Sequence, residues 1–166
     1  MKTIEMEIAL MSYFGIRQNI IVPNISWSFL YNHEADLIVL TGSSYATEIE
    51  IKVSKADLKK DKEKKHCHES DMIKYLDFAV PVKLKEFALT EIPKHAGLIT
   101  VELYENYNCY TVNYAGYRVE RIRPAMKNKH CKAWSCGERQ RLSELGCMRI
   151  LGLKKKVFKL SNKAAI

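Results

Sequence analysis

Three ionisable residues near the start of the chain have types and a spacing that suit metal-assisted chemistry. Asp36 is followed, after a spacer of thirteen residues, by Glu50, and Lys52 comes two positions later. Carboxylate and backbone carbonyl oxygens are the ligands that Mg²⁺ prefers, and Mg²⁺ keeps several waters for substrate phosphates. A lysine on the same face could hold the attacking water or the charge that develops on the phosphate. The set therefore predicts hydrolysis of a phosphodiester.

A β-hairpin is the element that must position these residues. The runs 36–40 and 48–53 are rich in β-branched residues and are separated by turn-forming residues. In the second run the period of two places Glu48, Glu50 and Lys52 on one face, and isoleucine and valine on the other. Burial of the apolar face can hold the strand in the core, but it does not account for the three charged residues of the other face. We therefore expect these residues to have a functional role.

Asp36 and Glu50-Ile51-Lys52 resemble the D…(D/E)-x-K signature of the PD-(D/E)XK nuclease superfamily, which includes restriction enzymes and archaeal-type Holliday junction resolvases. The run 53–61 makes the chain look closest to the MmcB-like branch associated with DNA repair. The resemblance implies that Asp36 and Glu50 bind the metal, that Ile51 gives its carbonyl, and that Lys52 assists catalysis. Ala35 stands in place of the name-giving proline, at a position often varied in the superfamily. The resemblance covers roughly the first two thirds of the chain and leaves the last part unexplained.

The two carboxylates should repel each other when no metal is bound. From the sequence we therefore expect Asp36→Asn or Glu50→Gln to leave the stability of the metal-free protein equal or higher.

Glu7 is a further candidate catalytic residue. On a helical wheel of the predicted helix 3–15, Glu7 falls inside an apolar stripe, which is formed by Ile4, Ile8, Leu10, Met11 and Phe14. A carboxylate on a core-facing stripe is costly unless it is paired, hydrogen-bonded or near a metal. Related nucleases often supply such a glutamate to the metal site. The alternative is that Glu7 lies at the edge of the stripe or pairs with a lysine.

The positive charge of the chain is concentrated at its C-terminal end. The net charge is +8, but residues 117–166 hold fourteen Lys or Arg and three acids, a net of +11, and the first 116 residues carry −3. Such density is typical of nucleic-acid binding; the alternative is a solvated basic surface or an anionic partner. The predicted nucleic-acid-binding residues are Lys55, Lys59, Arg118, Arg121, Arg123, Lys127 and Lys129.

Length and composition favour one domain over residues 1–166, with a catalytic core at 1–116 and a basic extension at 117–166. No apolar run approaches the ~20 residues that a membrane span needs, and the acidic N-terminus does not suit a secretory signal. We therefore expect a cytoplasmic protein with no membrane partner. The five cysteines lack zinc-binding spacing and are expected to be reduced.

The order of predicted elements favours an α/β, restriction-endonuclease-like fold, with a mixed central β-sheet flanked by helices. Around the hairpin we predict a helix at 3–15, a strand at 19–29, a helix at 55–66, a strand at 74–80, a helix at 82–90, a strand at 97–104, a strand region at 107–119 and a helix at 136–153. The last helix should break at Gly146 or Gly152 and pack on the core, and the tail 154–166 should fray.

The predicted function is a nuclease that hydrolyses DNA phosphodiesters in repair, recombination or phage DNA processing, with Mg²⁺ or Mn²⁺ as cofactor. The alternative is a non-catalytic DNA-binding accessory protein on a nuclease fold. Metal-assisted cleavage does not itself select the sugar, so RNA stays open as a substrate. A homodimer would supply one site per strand of a duplex.

Overall fold

The computed structural model describes residues 1–25, 34–62, 70–104 and 116–163. Its elements are α1 (Thr3–Phe14), β1 (Ile20–Ile25), β2 (Ala35–Leu40), β3 (Ala46–Ile51), α2 (Lys55–Lys62), β4 (Ile73–Pro81), a 3-10 helix (Val82–Leu84), α3 (Lys85–Glu91), β5 (Gly97–Leu103), β6 (Tyr117–Arg123) and α4 (Cys136–Lys163). The second part of the predicted strand 19–29, the end of the helix 55–66 and most of the strand region 107–119 lie outside the described residues.

The described strands form one six-stranded sheet in which the spatial order follows the chain, from β1 to β6. The first three strands are antiparallel neighbours, β3, β4 and β5 are parallel, and β6 returns antiparallel to β5. Parallel pairs need a crossover connection, and α2 and α3 lie in the two crossovers. The prediction of a mixed α/β sheet flanked by helices is confirmed.

Helix α1 covers one face of the sheet. It buries Met6, Ala9 and Leu10 against the apolar side chains of the central strands, and it ends where Gly15 takes a left-handed φ of 72°. The predicted apolar stripe is wrong for Ile4 and Ile8, which are 53% and 45% exposed. The packed face is centred on Met6 and Leu10, one turn apart, and the small Ala9 between them allows a close approach to the strands.

Two separate apolar clusters cover the other face. On the β4 and β5 side, α2 and α3 bury a cluster that contains Leu58 and Phe78. On the β1 and β2 side, Trp134 and the first turns of α4 bury a cluster that contains Ile38. The boundary between the two clusters runs over β3, the strand that carries Glu50, one of the predicted catalytic residues.

Residues 124–135 follow the end of the sheet at which β4 and β5 begin. Backbone N–H groups of Met126, Asn128, Lys132 and Trp134 donate to the carbonyls of His95, Lys74, Asp71 and Ser44. The Trp134 side chain also donates its Nε1–H to the Met72 carbonyl at 2.7 Å. These bonds bring the chain back across the sheet to the start of α4.

Helix α4 is one unbroken element of 28 residues, and the predicted break at Gly146 or Gly152 and the frayed tail are wrong for its described part. A glycine inside a helix costs only about 1 kcal/mol relative to alanine, too little to end a long helix. The start of α4 is fixed by a capping box. The Ser135 hydroxyl accepts a hydrogen bond from the Glu138 N–H at 3.3 Å, and the Glu138 carboxylate accepts one from the Ser135 N–H at 2.6 Å.

Candidate active site where two strands diverge

Strands β2 and β3 separate beside Asp36. Their antiparallel register pairs Leu37 with Ile49, and its continuation would join Ala35 to Ile51. The Ile51 N–H instead donates to Asp36 Oδ2 at 2.8 Å. Strand β3 stays paired with β4 over the same stretch. The Asp36 carboxylate therefore fills the gap that opens between the two strands.

Glu48 and Glu50 lie on the boundary between the two apolar clusters. The register places Glu48 between Ile38 of β2 and Leu76 of β4, and residues directly opposite each other share a face of the sheet. Glu50 lies opposite Phe78 in the same way. Glu48 is fully buried and Glu50 is 1% exposed. Both acids thus lie inside the fold, on the face away from α1.

Lys52 completes the cluster. Its ammonium group forms an ion pair with Glu50 Oε2 and lies 3.9 Å from Asp36 Oδ2. The side chains of Glu50 and Lys52 are 1% and 8% exposed, whereas that of Asp36 is 34% exposed. The structure therefore brings together the three residues that the sequence singles out, in a cluster that reaches solvent through Asp36.

The donor set of the cluster fits Mg²⁺ or Mn²⁺. The Asp36 and Glu50 carboxylates both lie beside the Lys52 ammonium group. Oxygens of the two side chains therefore converge on one position, at which they stabilise a positive charge. In an extended strand the N–H and C=O of one residue point to the same side, and the Ile51 N–H points to Asp36, so we expect the Ile51 carbonyl to face the same gap. Within the described ranges no three His, Cys, Asp or Glu side chains form a metal-binding group. A metal here would therefore take the carbonyl and water as its other ligands.

Glu7, the further candidate, contacts a side chain of β1. It belongs to α1, which packs on the face of the sheet opposite Glu48 and Glu50. Its carboxylate accepts a hydrogen bond from the Asn24 side chain of β1 at 3.4 Å. A role for Glu7 in the metal site stays a prediction.

Two of the predicted nucleic-acid-binding arginines make internal contacts. Arg121 donates two hydrogen bonds to the Asp77 carboxylate, at 2.7 and 2.9 Å, and Asp77 is 1% exposed. Burial alone would lower the pKa of Arg121, but the hydrogen bonds and charge of Asp77 raise it above its ordinary value. Arg123 donates to the carbonyls of Ala96 and Pro93 at 2.9 and 2.8 Å. These guanidinium groups hold β6 to the sheet and to the turn before β5.

The pair formed by Asp77 and Arg121 also explains Gly97. In the parallel register Gly97 lies opposite Asp77, and a Cβ on Gly97 would come 2.0 Å from Asp77 Oδ1. An acid inside the apolar run 76–80 is the signal in the sequence that could have indicated this buried pair.

The other predicted nucleic-acid-binding residues are exposed. Lys55 and Lys59 lie on α2, which begins directly after the Lys52 segment because the Ser54 hydroxyl accepts from the Asp57 N–H at 3.2 Å. Arg118 is 61% exposed and lies 3.8 Å from Glu120, a separation at which a surface ion pair contributes little. Lys127 and Lys129 lie on the segment 124–135 and are also exposed.

A concave region of about 600 Å³ lies at the other end of β4, away from Glu50. Its lining includes Lys74, His95, Lys127 and His130. The carboxylate in the lining, Asp71, forms an ion pair with Lys132. This region is therefore basic, and it is separate from the carboxylate cluster.

No protein-family model matches the chain, and no curated protein matches it significantly in sequence. A solved structure, the SPO1766 protein of unknown function from Silicibacter pomeroyi, aligns with a TM-score of 0.53 and 18% identity, over 88% of this chain and 84% of that chain. At this identity the likeness shows a shared fold alone. Among the described residues, no helix is long and apolar enough to cross a membrane.

Proposed function

We propose that this protein is a metal-dependent nuclease that hydrolyses phosphodiester bonds in DNA. The proposal is carried by one observation: two carboxylates and a lysine from two diverging strands meet at a point that is buried on the protein side and open at Asp36. A purely structural role explains the cluster poorly, because apolar residues in place of a buried ion pair are often neutral or stabilising. Strand β3 nevertheless buries Glu48 and Glu50, and Lys52, which directly follows the strand, is buried as well.

The residues of the cluster have distinct roles under this proposal. Asp36, Glu50 and the Ile51 carbonyl would hold the metal, which supplies a Lewis acid for the phosphate and lowers the pKa of a bound water. Lys52, beside both carboxylates, would donate to the phosphate oxygen on which charge develops. Glu48, fully buried two residues before Glu50, would be an additional acidic group beside the site. The exposure of Asp36 marks the side from which the scissile phosphate approaches.

Nucleic acid as the substrate is supported by exposed cations, two of which lie on the helix after Lys52. Lys55 and Lys59 lie on the helix that directly follows Lys52, and both are exposed. Contacts of this kind to phosphates fix the position of the substrate without reading its sequence. Arg118, Lys127 and Lys129 add exposed positive charge farther along the chain. Hydrolysis of RNA is tested beside DNA, because the cluster does not select the sugar.

A nuclease assay tests the proposal. Purified protein is incubated with labelled linear, nicked, single-stranded and four-way-junction DNA and with RNA, in Mg²⁺, Mn²⁺ or chelator. We expect cleavage that needs the metal, that Asp36→Asn abolishes, and that Lys52→Ala slows by about 100-fold or more while calorimetry still detects metal binding. The matched control, Asp71→Asn, breaks an acid–lysine pair at the far end of the sheet and should cleave like the wild type. Absence of cleavage on every substrate, or undiminished cleavage by Asp36→Asn, rejects the nuclease.

A second candidate is a non-catalytic DNA-binding accessory protein. One observation favours it: the ion pair between Lys52 and Glu50 already balances the glutamate charge without a metal. An accessory protein would bind DNA but show no heat of binding with Mg²⁺ or Mn²⁺, even with DNA present. The proposed nuclease would bind both, so titration calorimetry on one preparation separates the two functions.

A further inference from the structure

The second half of α4 exposes an unusual number of large apolar side chains. The first half packs on β1, where Leu142 is buried and Leu145 is partly buried. Beyond Arg149 the apolar residues are 53–66% exposed; they are Ile150, Leu151, Leu153, Val157, Phe158 and Leu160. Large contiguous apolar patches on a soluble protein usually mark an interaction site.

These six side chains share one side of the helix. With 3.6 residues per turn, all six fall within one half of the circumference. The opposite half carries the exposed lysines Lys155, Lys156 and Lys159. It also carries Arg149, which donates to the Asn24 carbonyl of β1. After Glu144 the chain has six Lys or Arg and no acid. Over residues 149–163, one side of α4 is thus mainly apolar, and the charged residues of the other side are all basic.

We propose that residues 149–163 of α4 bind the surface of a bilayer that contains anionic phospholipid. A helix with Leu and Phe on one side and Lys and Arg on the other lies in the plane of the interface, with its apolar side at the boundary of headgroups and acyl chains. Lys155, Lys156 and Lys159 meet the anionic headgroups. Lys154, which falls within the apolar half, can extend its aliphatic stem so that its ammonium group also reaches the headgroups. This partner departs from the sequence-based expectation of no membrane partner, which rested on the lack of an apolar run of the ~20 residues that a membrane span needs.

A second copy of the chain fits the same helix less well. Ile150, Leu153, Val157 and Leu160 do follow the heptad spacing of a two-stranded coiled coil. Leu151 and Phe158, however, would point away from its seam, although they are 53% and 66% exposed. The pattern spans only two heptads, fewer than the three or four of a sustained coiled coil. In a parallel pair Arg149 would also face Lys154 of the other copy, and the like charges would repel.

Nucleic acid would account for the cations alone. Phosphates neutralise lysine and arginine, but they would leave the six apolar side chains in water. A bilayer surface accounts for both halves of the helix at once. The inference does not rest on nuclease activity, because flotation with vesicles and cleavage of DNA are separate measurements.

Vesicle flotation with the full-length protein tests the proposal. The vesicles contain phosphatidylcholine alone or phosphatidylcholine with phosphatidylserine. We expect the wild type to float with the mixed vesicles, and less so as salt rises. The double variant Leu153→Gln, Phe158→Gln should lower the partition constant by about 100-fold. The double variant Lys155→Gln, Lys159→Gln should lower it by about tenfold or more on the mixed vesicles.

The control is Asn162→Gln, a neutral exchange at an exposed position of the same helix, which should float like the wild type. Circular dichroism checks that every variant is folded. A Phe158→Trp variant adds a depth measurement, because acyl-chain-brominated lipid should quench a tryptophan at that position. The proposal is overturned if the wild type floats no more than without lipid, if Leu153→Gln, Phe158→Gln floats equally well, or if Phe158→Trp is not quenched. A stable dimer in sedimentation analysis that this double variant abolishes, without flotation, would assign the surface to a second copy.

Discussion

Replacement of Glu50 by glutamine should destabilise the metal-free protein, in contrast to the sequence-based expectation from carboxylate repulsion. Glu50 is 1% exposed and forms an ion pair with Lys52, whose side chain is 8% exposed. Without the Glu50 charge, the nearly buried ammonium keeps Asp36 as a partner at 3.9 Å. Removal of one member of a buried pair costs about 3–5 kcal/mol, and because Asp36 remains we expect the lower end, about 3 kcal/mol.

A double-mutant cycle isolates the pair. Lys52→Met removes the cation and leaves Glu50 and Asp36 to repel each other, so it should also be destabilising. The double variant Glu50→Gln, Lys52→Met removes both charges and should be more stable than the sum of the single losses, with a coupling of about 1–3 kcal/mol. The control is Asp71→Asn: its partner Lys132 is 73% exposed and Asp71 is 48% exposed. An exposed pair of this kind contributes less than about 1 kcal/mol.

Urea unfolding at neutral pH with chelator present, followed through the fluorescence of the buried Trp134, measures these free energies. Addition of Mg²⁺ at a hundredfold excess over its Kd should raise the unfolding free energy of the wild type by about 2.7 kcal/mol. The same addition should raise that of Glu50→Gln much less. A midpoint for Glu50→Gln at or above the wild-type value, with an unchanged slope, would refute the reasoning and restore carboxylate repulsion as the dominant effect.

Arg121 is bonded to the buried Asp77, whereas Lys127 and Lys129 are exposed. Arg121→Gln should lower the unfolding free energy by about 3 kcal/mol and leave the salt dependence of DNA binding unchanged. The double variant Lys127→Gln, Lys129→Gln should instead reduce the slope of that salt dependence by about two units and leave stability unchanged. Urea unfolding measures the stability and fluorescence anisotropy at several salt concentrations measures the slope; a changed slope for Arg121→Gln would place Arg121 in the DNA interface. Burial raises the pKa of the Cys131 thiol, so at mildly alkaline pH iodoacetamide should alkylate it more slowly than the two exposed cysteines of α4. Mass spectrometry of peptides measures the rates, and equal rates would contradict the effect of burial.

Local patterns in the sequence were enough to predict the hairpin and the residues that meet in it. The period of two fixes which side chains of β3 share a face, and the tight connection fixes the antiparallel neighbour, so Asp36 and Glu50 had to lie close together. Helix ends with clear chemistry, at Gly15 and Ser54, were predictable for the same reason. Each of these features depends on residues that are near one another in the chain.

Features that depend on distant partners could not be predicted in this way. The buried face of α1 was misplaced because Ile4 and Ile8 are as apolar as Met6 and Leu10, and only the sheet decides which side packs. The pairing of Asp77 with Arg121 joins residues 44 positions apart. In each case the sequence shows the chemical group but not its partner.

The arginines and lysines of residues 117–166 differ in their partners, so only part of the net charge of +11 is available to bind an external anion. Arg121 and Arg123 bond within the sheet and its turns, Arg139 donates to the Thr41 carbonyl at 2.9 Å, and Arg149 donates to the Asn24 carbonyl. Guanidinium suits such tasks because its rigid fork of donors loses little freedom for each bond, whereas a lysine ammonium is more strongly hydrated. The exposed lysines of the segment 124–135 and of α4 are therefore the better candidates for an external anion. They also lie on separate elements, so the nucleic-acid surface and the bilayer surface that we propose draw on different lysines of one basic region.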